Sequence, residues 1–136
     1  MVVDRPLYIN TDNMINQKPF GVWMDTQNAT IVGKADTENG EWVIVAHVKG
    51  EEVTHNSSEK NEHNDKRTLQ AKFFKEIASH MQNVTDLHVS GTGQAQEQFI
   101  HYLEATPQFK NVKTAECTSN KMSDERLLVF FAEKLN

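Results

Sequence analysis

Between Phe20 and Lys49 the chain offers three strand-like segments in succession, with no space for a helix between them. FGVWMD (Phe20–Asp25) passes through a TQN turn into ATIVGK (Ala29–Lys34). The turn DTENG, with Asn39-Gly40 as its strongest signal, leads into the Val- and Ile-rich EWVIVAHVK (Glu41–Lys49). Connections this short join antiparallel neighbours, because a parallel pair needs a crossover of a dozen or more residues. The three segments therefore predict an antiparallel meander.

Beyond it the apolar residues change spacing. GEEVTHNSSEKNEHND (Gly50–Asp65) is polar and is expected to stay mobile, having almost nothing to bury. In KRTLQAKFFKEIASHM, Leu69, Phe73, Ile77 and Met81 recur every four residues, flanked by Phe74 and Ala78, as on an amphipathic helix. TDLHVS (Thr85–Ser90) reads as a fourth strand ended by Gly91. AQEQFIHYLE follows as a helix with Ala95, Phe99, Tyr102 and Leu103 on one face, and Pro107 lies beyond it. NVKTAE (Asn111–Glu116) is a weak fifth strand. Ser123 suits the cap of a last helix whose apolar face is Leu127, Leu128, Phe131 and Leu135. Asp124 and Glu125 in its first turn and Lys134 in its last complement the helix dipole.

The order β-β-β-α-β-α-β-α predicts an α/β domain with a mixed five-stranded sheet, its crossovers right-handed and leading to parallel strands. This is the element order of a ribonuclease-H-like three-layer fold. Residues 1–19 read as an irregular arm and 20–136 as a single domain, a usual size for 136 residues. Strands four and five are less apolar than buried parallel strands usually are.

A formal charge of -5 disfavours broad binding to nucleic acid, which needs clustered Lys and Arg. Cys117 is the only cysteine, so no intrachain disulfide can form. No signal peptide and no run approaching the ~20 apolar residues of a membrane span are visible. The expected setting is the cytoplasm, with no membrane partner.

Four sets of residues are candidates for chemistry. Gly91-Thr92-Gly93-Gln94 lacks the Lys of a P-loop and the third Gly of a dinucleotide fingerprint. It reads as a strand-to-helix turn, with anion binding at the helix N-terminus as the functional alternative. Asp25, Glu76 and Asp86 lie near the positions at which ribonuclease-H-type nucleases hold Mg²⁺. Against that, Asp25 suits a turn, Glu76 a solvated helix face and Asp86 a strand start. Lys66, Arg67, Lys72 and Lys75 give the first helix a basic edge, either a solvated face or a contact surface for RNA. The histidines at 47, 55, 63, 80, 88 and 101 match no zinc spacing and read as surface residues. Cys117 has no recognisable His partner motif and reads as structural or incidental. No cofactor is called for.

Four of these segments together resemble the middle domain of the eukaryotic and archaeal peptide-chain release factors and of the ribosome-rescue factor Pelota. The likeness is closest to the small bacterial and archaeal release-factor-like proteins. FGVWMDTQNATIVG resembles the family's opening hairpin. KRTLQAKFFKEIASHM resembles its long helix, with Arg67 followed by the aromatic pair Phe73 and Phe74. TDLHVSGTGQAQEQFIHYLE resembles its strand, Gly turn and helix, and MSDERLLVFFAEKL its closing helix start. The resemblance implies a ribosome- or translation-linked partner. It also implies where a Gly-Gly-Gln hydrolysis tripeptide would stand: in the loop before the long helix, which here contains none. GTGQ falls one strand later, so Gln94 is not given the catalytic role. The expected function is a non-catalytic domain that associates with the translation machinery. The alternatives are a metal-dependent nuclease and a protein-interaction module or homo-oligomer without RNA contact.

Overall fold

The computed structural model describes residues 17–35, 40–51 and 62–135. The elements are β1 (Pro19–Met24), β2 (Asn28–Lys34), β3 (Trp42–Lys49), α1 (Glu62–Ser79), β4 (Asp86–Gly91), α2 (Gln94–Glu104), a 3₁₀ turn (Pro107–Phe109), β5 (Lys113–Thr118) and α3 (Asp124–Leu135). β1 begins at Pro19, one residue inside the expected arm; residues 1–16 of that arm lie outside the described residues, as do 52–61 of the polar loop.

One five-stranded sheet runs in the order β3-β2-β1-β4-β5. β1–β2 and β2–β3 are antiparallel, whereas β1–β4 and β4–β5 are parallel. Both crossovers step in the same direction across the sheet, so right-handedness puts α1 and α2 on one face. α3 alone covers the other. The central strand β1 is buried on both sides, as its unbroken apolar run requires. β5 is exposed along nearly its whole length because it is an edge, which accounts for its polar sequence.

On the first face Phe20, Val22, Met24, Ile31, Leu87 and Val89 meet Phe73, Phe74, Ile77, Phe99 and Leu103. Phe74 packs edge-on against Phe99, with ring centroids 5.4 Å apart. The second face is a smaller cluster of Trp23, Val32, Leu127 and Phe131. Its closeness depends on Gly21, since a Cβ there would stand only 2.4 Å from Phe131 Cγ.

β3 holds a register shift opposite Ile31 and Val32, which pair with Ala46 and Ile44 and leave Val45 as the extra residue. In an unbroken strand Trp42, Ile44, Ala46 and Val48 would share one face. The bulge divides them: Ala46 and Val48 join the α1–α2 core, while Trp42 and Ile44 pack in the α3 cluster.

Ser123 caps α3 as expected, its Oγ accepting the Arg126 N–H at 3.2 Å. Phe131 on that helix is fully buried, and Val129 faces solvent. Phe131→Ala should lower unfolding free energy by about 3–5 kcal/mol, against ~0.5 kcal/mol or less for Val129→Ala. Urea denaturation followed by tryptophan fluorescence reads both, since Trp23 lies in the same cluster.

Candidate functional site

The carboxyl ends of β1 and β4 place the Gly91–Gln94 turn beside the β1–β2 turn, because Met24 pairs with Gly91. Gly91 is demanded by space: a Cβ would strike the Met24 carbonyl oxygen and approach Gln96 Oε1 to 2.7 Å. Gly93 is demanded by conformation, with φ at +142° and open space where a Cβ would stand. Thr92 and Gln94 are exposed.

The residue that holds this turn is Gln96, which is fully buried. Its Oε1 accepts the Gly93 N–H at 2.9 Å, and its Nε2 donates to the Cys117 carbonyl at 3.1 Å. The first contact is the N3-to-Ncap half of a capping box; the second ties the turn to β5. Sequence reading concentrated on Gln94 and missed Gln96, although Gly93-x-x-Gln96 has the capping-box spacing. Gln96→Ala should destabilise the fold by roughly 1–3 kcal/mol by stranding buried polar groups. Gln94→Ala should change it by ~0.5 kcal/mol or less; paired denaturation curves check the contrast.

The basic residues separate into two groups. At about 100° per residue, Lys72 and Lys75 lie opposite the buried Phe73 and Ile77. Lys72 pairs there with Glu51 at 3.0 Å, both side chains well solvated. Lys66 and Arg67 lie on the core side of α1 yet are exposed, because the sheet has ended beneath them. Phe73 packs against Gly50, beside the β1–β2 turn where the strands already finish. An 18-residue helix is about 27 Å long, while the six residues of β4 cover only about 20 Å. The first turns of α1 thus overhang the sheet at the same end as the Gly91–Gln94 turn. α1 and α2 are joined near there by a Gln70–Gln98 hydrogen bond of 2.9 Å.

Asp25, Glu76 and Asp86 do not come together. Asp25 Oδ1 accepts the N–H groups of Gln27 and Asn28 at 2.8 and 2.6 Å, which makes it the β1–β2 turn residue. Asp86 pairs with Pro19 at the far end of β1, about 20 Å away along the strand. Glu76 points to solvent from α1. Among the described residues no group of three or more His, Cys, Asp or Glu is placed to hold a metal ion.

The structure gives Cys117 a partner that its sequence surroundings do not disclose. His88 Nε2 lies 3.2 Å from its Sγ, and the thiol also donates to Ser90 Oγ at 3.3 Å. Ser90 in turn shares a 2.6 Å hydrogen bond with Ser119. His88 and Ser90 alternate with Leu87 and Val89 and so face α3, where Phe130 and Phe131 pack edge-on to the imidazole. His88 is therefore buried, and its expected surface placement is corrected. The alternation L-H-V-S was the available signal.

Burial holds the His88 pKa below its usual value near 6.5, and the Lys134 charge adds to this. The neutral ring is favoured in the fold, so its contribution to stability is present above about 6.5 and is lost as pH falls toward the folded pKa. Stability curves from pH 7.5 to 5 should slope less for His88→Asn than for the parent. Equal slopes would show that His88 is not a source of the acid sensitivity.

Among the described residues the only large hydrophobic side chains that are exposed are Val45 and Val129, which make no extended apolar patch. No helix among them is long and apolar enough to cross a membrane.

No family model matches the sequence, and no curated protein matches it. Solved structures do. The Pelota protein of Thermoplasma acidophilum superposes with a TM-score of 0.55 at 19% identity, over 85% of this chain and 32% of that one. Pelota of Archaeoglobus fulgidus gives 0.55 at 13% identity, over 96% and 36%. An archaeal translation termination factor gives 0.51 at 15% identity, over 91% and 37%. This chain spans about a third of the length of each. At these identities the likeness is one of fold, and it is the fold that the sequence motifs led us to expect.

Proposed function

We propose that this chain is a non-catalytic, release-factor-like domain that docks on the translation machinery. The observation that carries the reading is the fold likeness to two Pelota proteins and a termination factor, extending over 85% to 96% of this chain. The absence of a Gly-Gly-Gln tripeptide supports a role in binding rather than in peptidyl-tRNA hydrolysis. Gln94 is the exposed first residue of α2 and is assigned no chemistry.

The contact surface in this reading is the carboxyl end of the sheet. Lys66 and Arg67 overhang at the same end of the sheet as Gly91, Thr92, Gly93 and Gln94, with Lys72 and Lys75 on the flank. Two features favour that end. Its cations stand clear of the sheet, and the Gly91–Gln94 turn is held rigidly by Gln96, so little order has to be gained on docking. With a net charge of -5 the attraction to phosphate is local, and binding should be modest and salt-sensitive. The partner is a ribosome or another translation component, and the setting is the cytoplasm.

Sedimentation with ribosomes from the host organism tests this. The protein should pellet with ribosomes at low salt and be released as salt rises. Lys66→Glu with Arg67→Glu should reduce the bound fraction several-fold. Lys110→Glu with Lys113→Glu reverses two exposed charges at the opposite end of the sheet and should leave binding unchanged. No co-sedimentation at any salt, or equal effects of the two reversals, would overturn the proposal.

A further inference from the structure

A pocket of about 370 Å³ opens on the α3 face, between the ends of β1, β2 and β3 and the start of α3. Ligand pockets begin at about this size. Three strands supply its floor in register. Trp23 pairs with Thr30, and Thr30 with His47, so the three side chains form a row across β1, β2 and β3. The Val45 bulge is what turns His47 to this face. At the rim His47 Nε2 contacts Asp124 Oδ2 at 2.9 Å, bridging β3 to the first turn of α3. Met122 and Leu127 add apolar wall.

The charge of its lining distinguishes this pocket from an ordinary surface groove. Lys49 and Lys121 stand against the single carboxylate of Asp124, which His47 already engages. Neither lysine has an ion-pair partner among the described residues. In a chain with a net charge of -5 this is a locally positive, half-apolar pocket.

We propose that the pocket binds a small organic anion with an apolar body and a carboxylate headgroup. Lys49 and Lys121 attract the carboxylate, Met122 and Leu127 cover the apolar body, and Trp23 lies on the floor beneath it. The site lies on the opposite face of the sheet from α1 and does not depend on the docking role proposed above.

Benzoate is a suitable minimal probe, with benzamide as its neutral counterpart. The intact protein carries two tryptophans, Trp23 and Trp42, so its indole N–H resonances are two, and Trp42→Phe assigns them. Benzoate at millimolar concentration should shift the Trp23 indole resonance saturably and leave that of Trp42 in place. Benzamide should bind more weakly. Lys49→Gln with Lys121→Gln, both at exposed positions, should weaken benzoate about ten-fold or more while the remaining spectrum stays that of the folded parent. No saturable shift at Trp23, equal binding of benzoate and benzamide, or undiminished binding by the double variant would each overturn the proposal.

Discussion

The rest of the fold depends on the contact between Phe131 and Gly21. A mixed sheet with two helices on one face leaves the other open, and here a single helix of twelve residues has to cover it. It can do so only if it lies close enough for its aromatic residues to reach the sheet. Gly21 supplies that approach at the middle of the central strand, and Phe131 occupies the space a side chain would have filled. Around this contact Trp23, Val32 and Leu127 become core, and His88, Ser90 and Cys117 become a covered polar group rather than an exposed edge. The neutral state of His88 follows from the same covering.

The carboxyl end of the sheet has a different logic. Both crossovers step the same way, so no crevice arises between oppositely wound halves, the place where open α/β sheets usually take up ligands. What projects there instead is a helix longer than its sheet, beside a turn held by one buried glutamine. That shape suits contact with a large partner better than enclosure of a small one. A small-molecule-sized pocket lies instead on the α3 side, where a bulge in β3 and the start of α3 leave a gap between them.

Much of this was legible along the chain. The element order, the apolar faces of the helices, the cap at Ser123 and the hairpin ending in Asp25 all depend on residues close together in sequence, and periodicity reports them directly. The motif resemblance to release factors and Pelota worked for the same reason, since each motif is one local element. The candidate site was less legible. Gln96 looked like any polar helix residue, because its partner on β5 is 21 positions away. The four basic residues looked like one edge, because the sequence does not say where the sheet beneath a helix stops.

By itself, then, the sequence determined which segments are strands and helices and which side of each helix is apolar, because these follow from local conformational preference and from the spacing of apolar residues. Tertiary structure alone decided what meets across the sheet. The unpaired Val45 sends Trp42 and Ile44 to one face and Ala46 and Val48 to the other, against their common parity. Parallel pairing of β4 with β5 brings His88 to Cys117, 29 positions apart. Register and face are properties of paired strands, and no single strand carries the information that sets them.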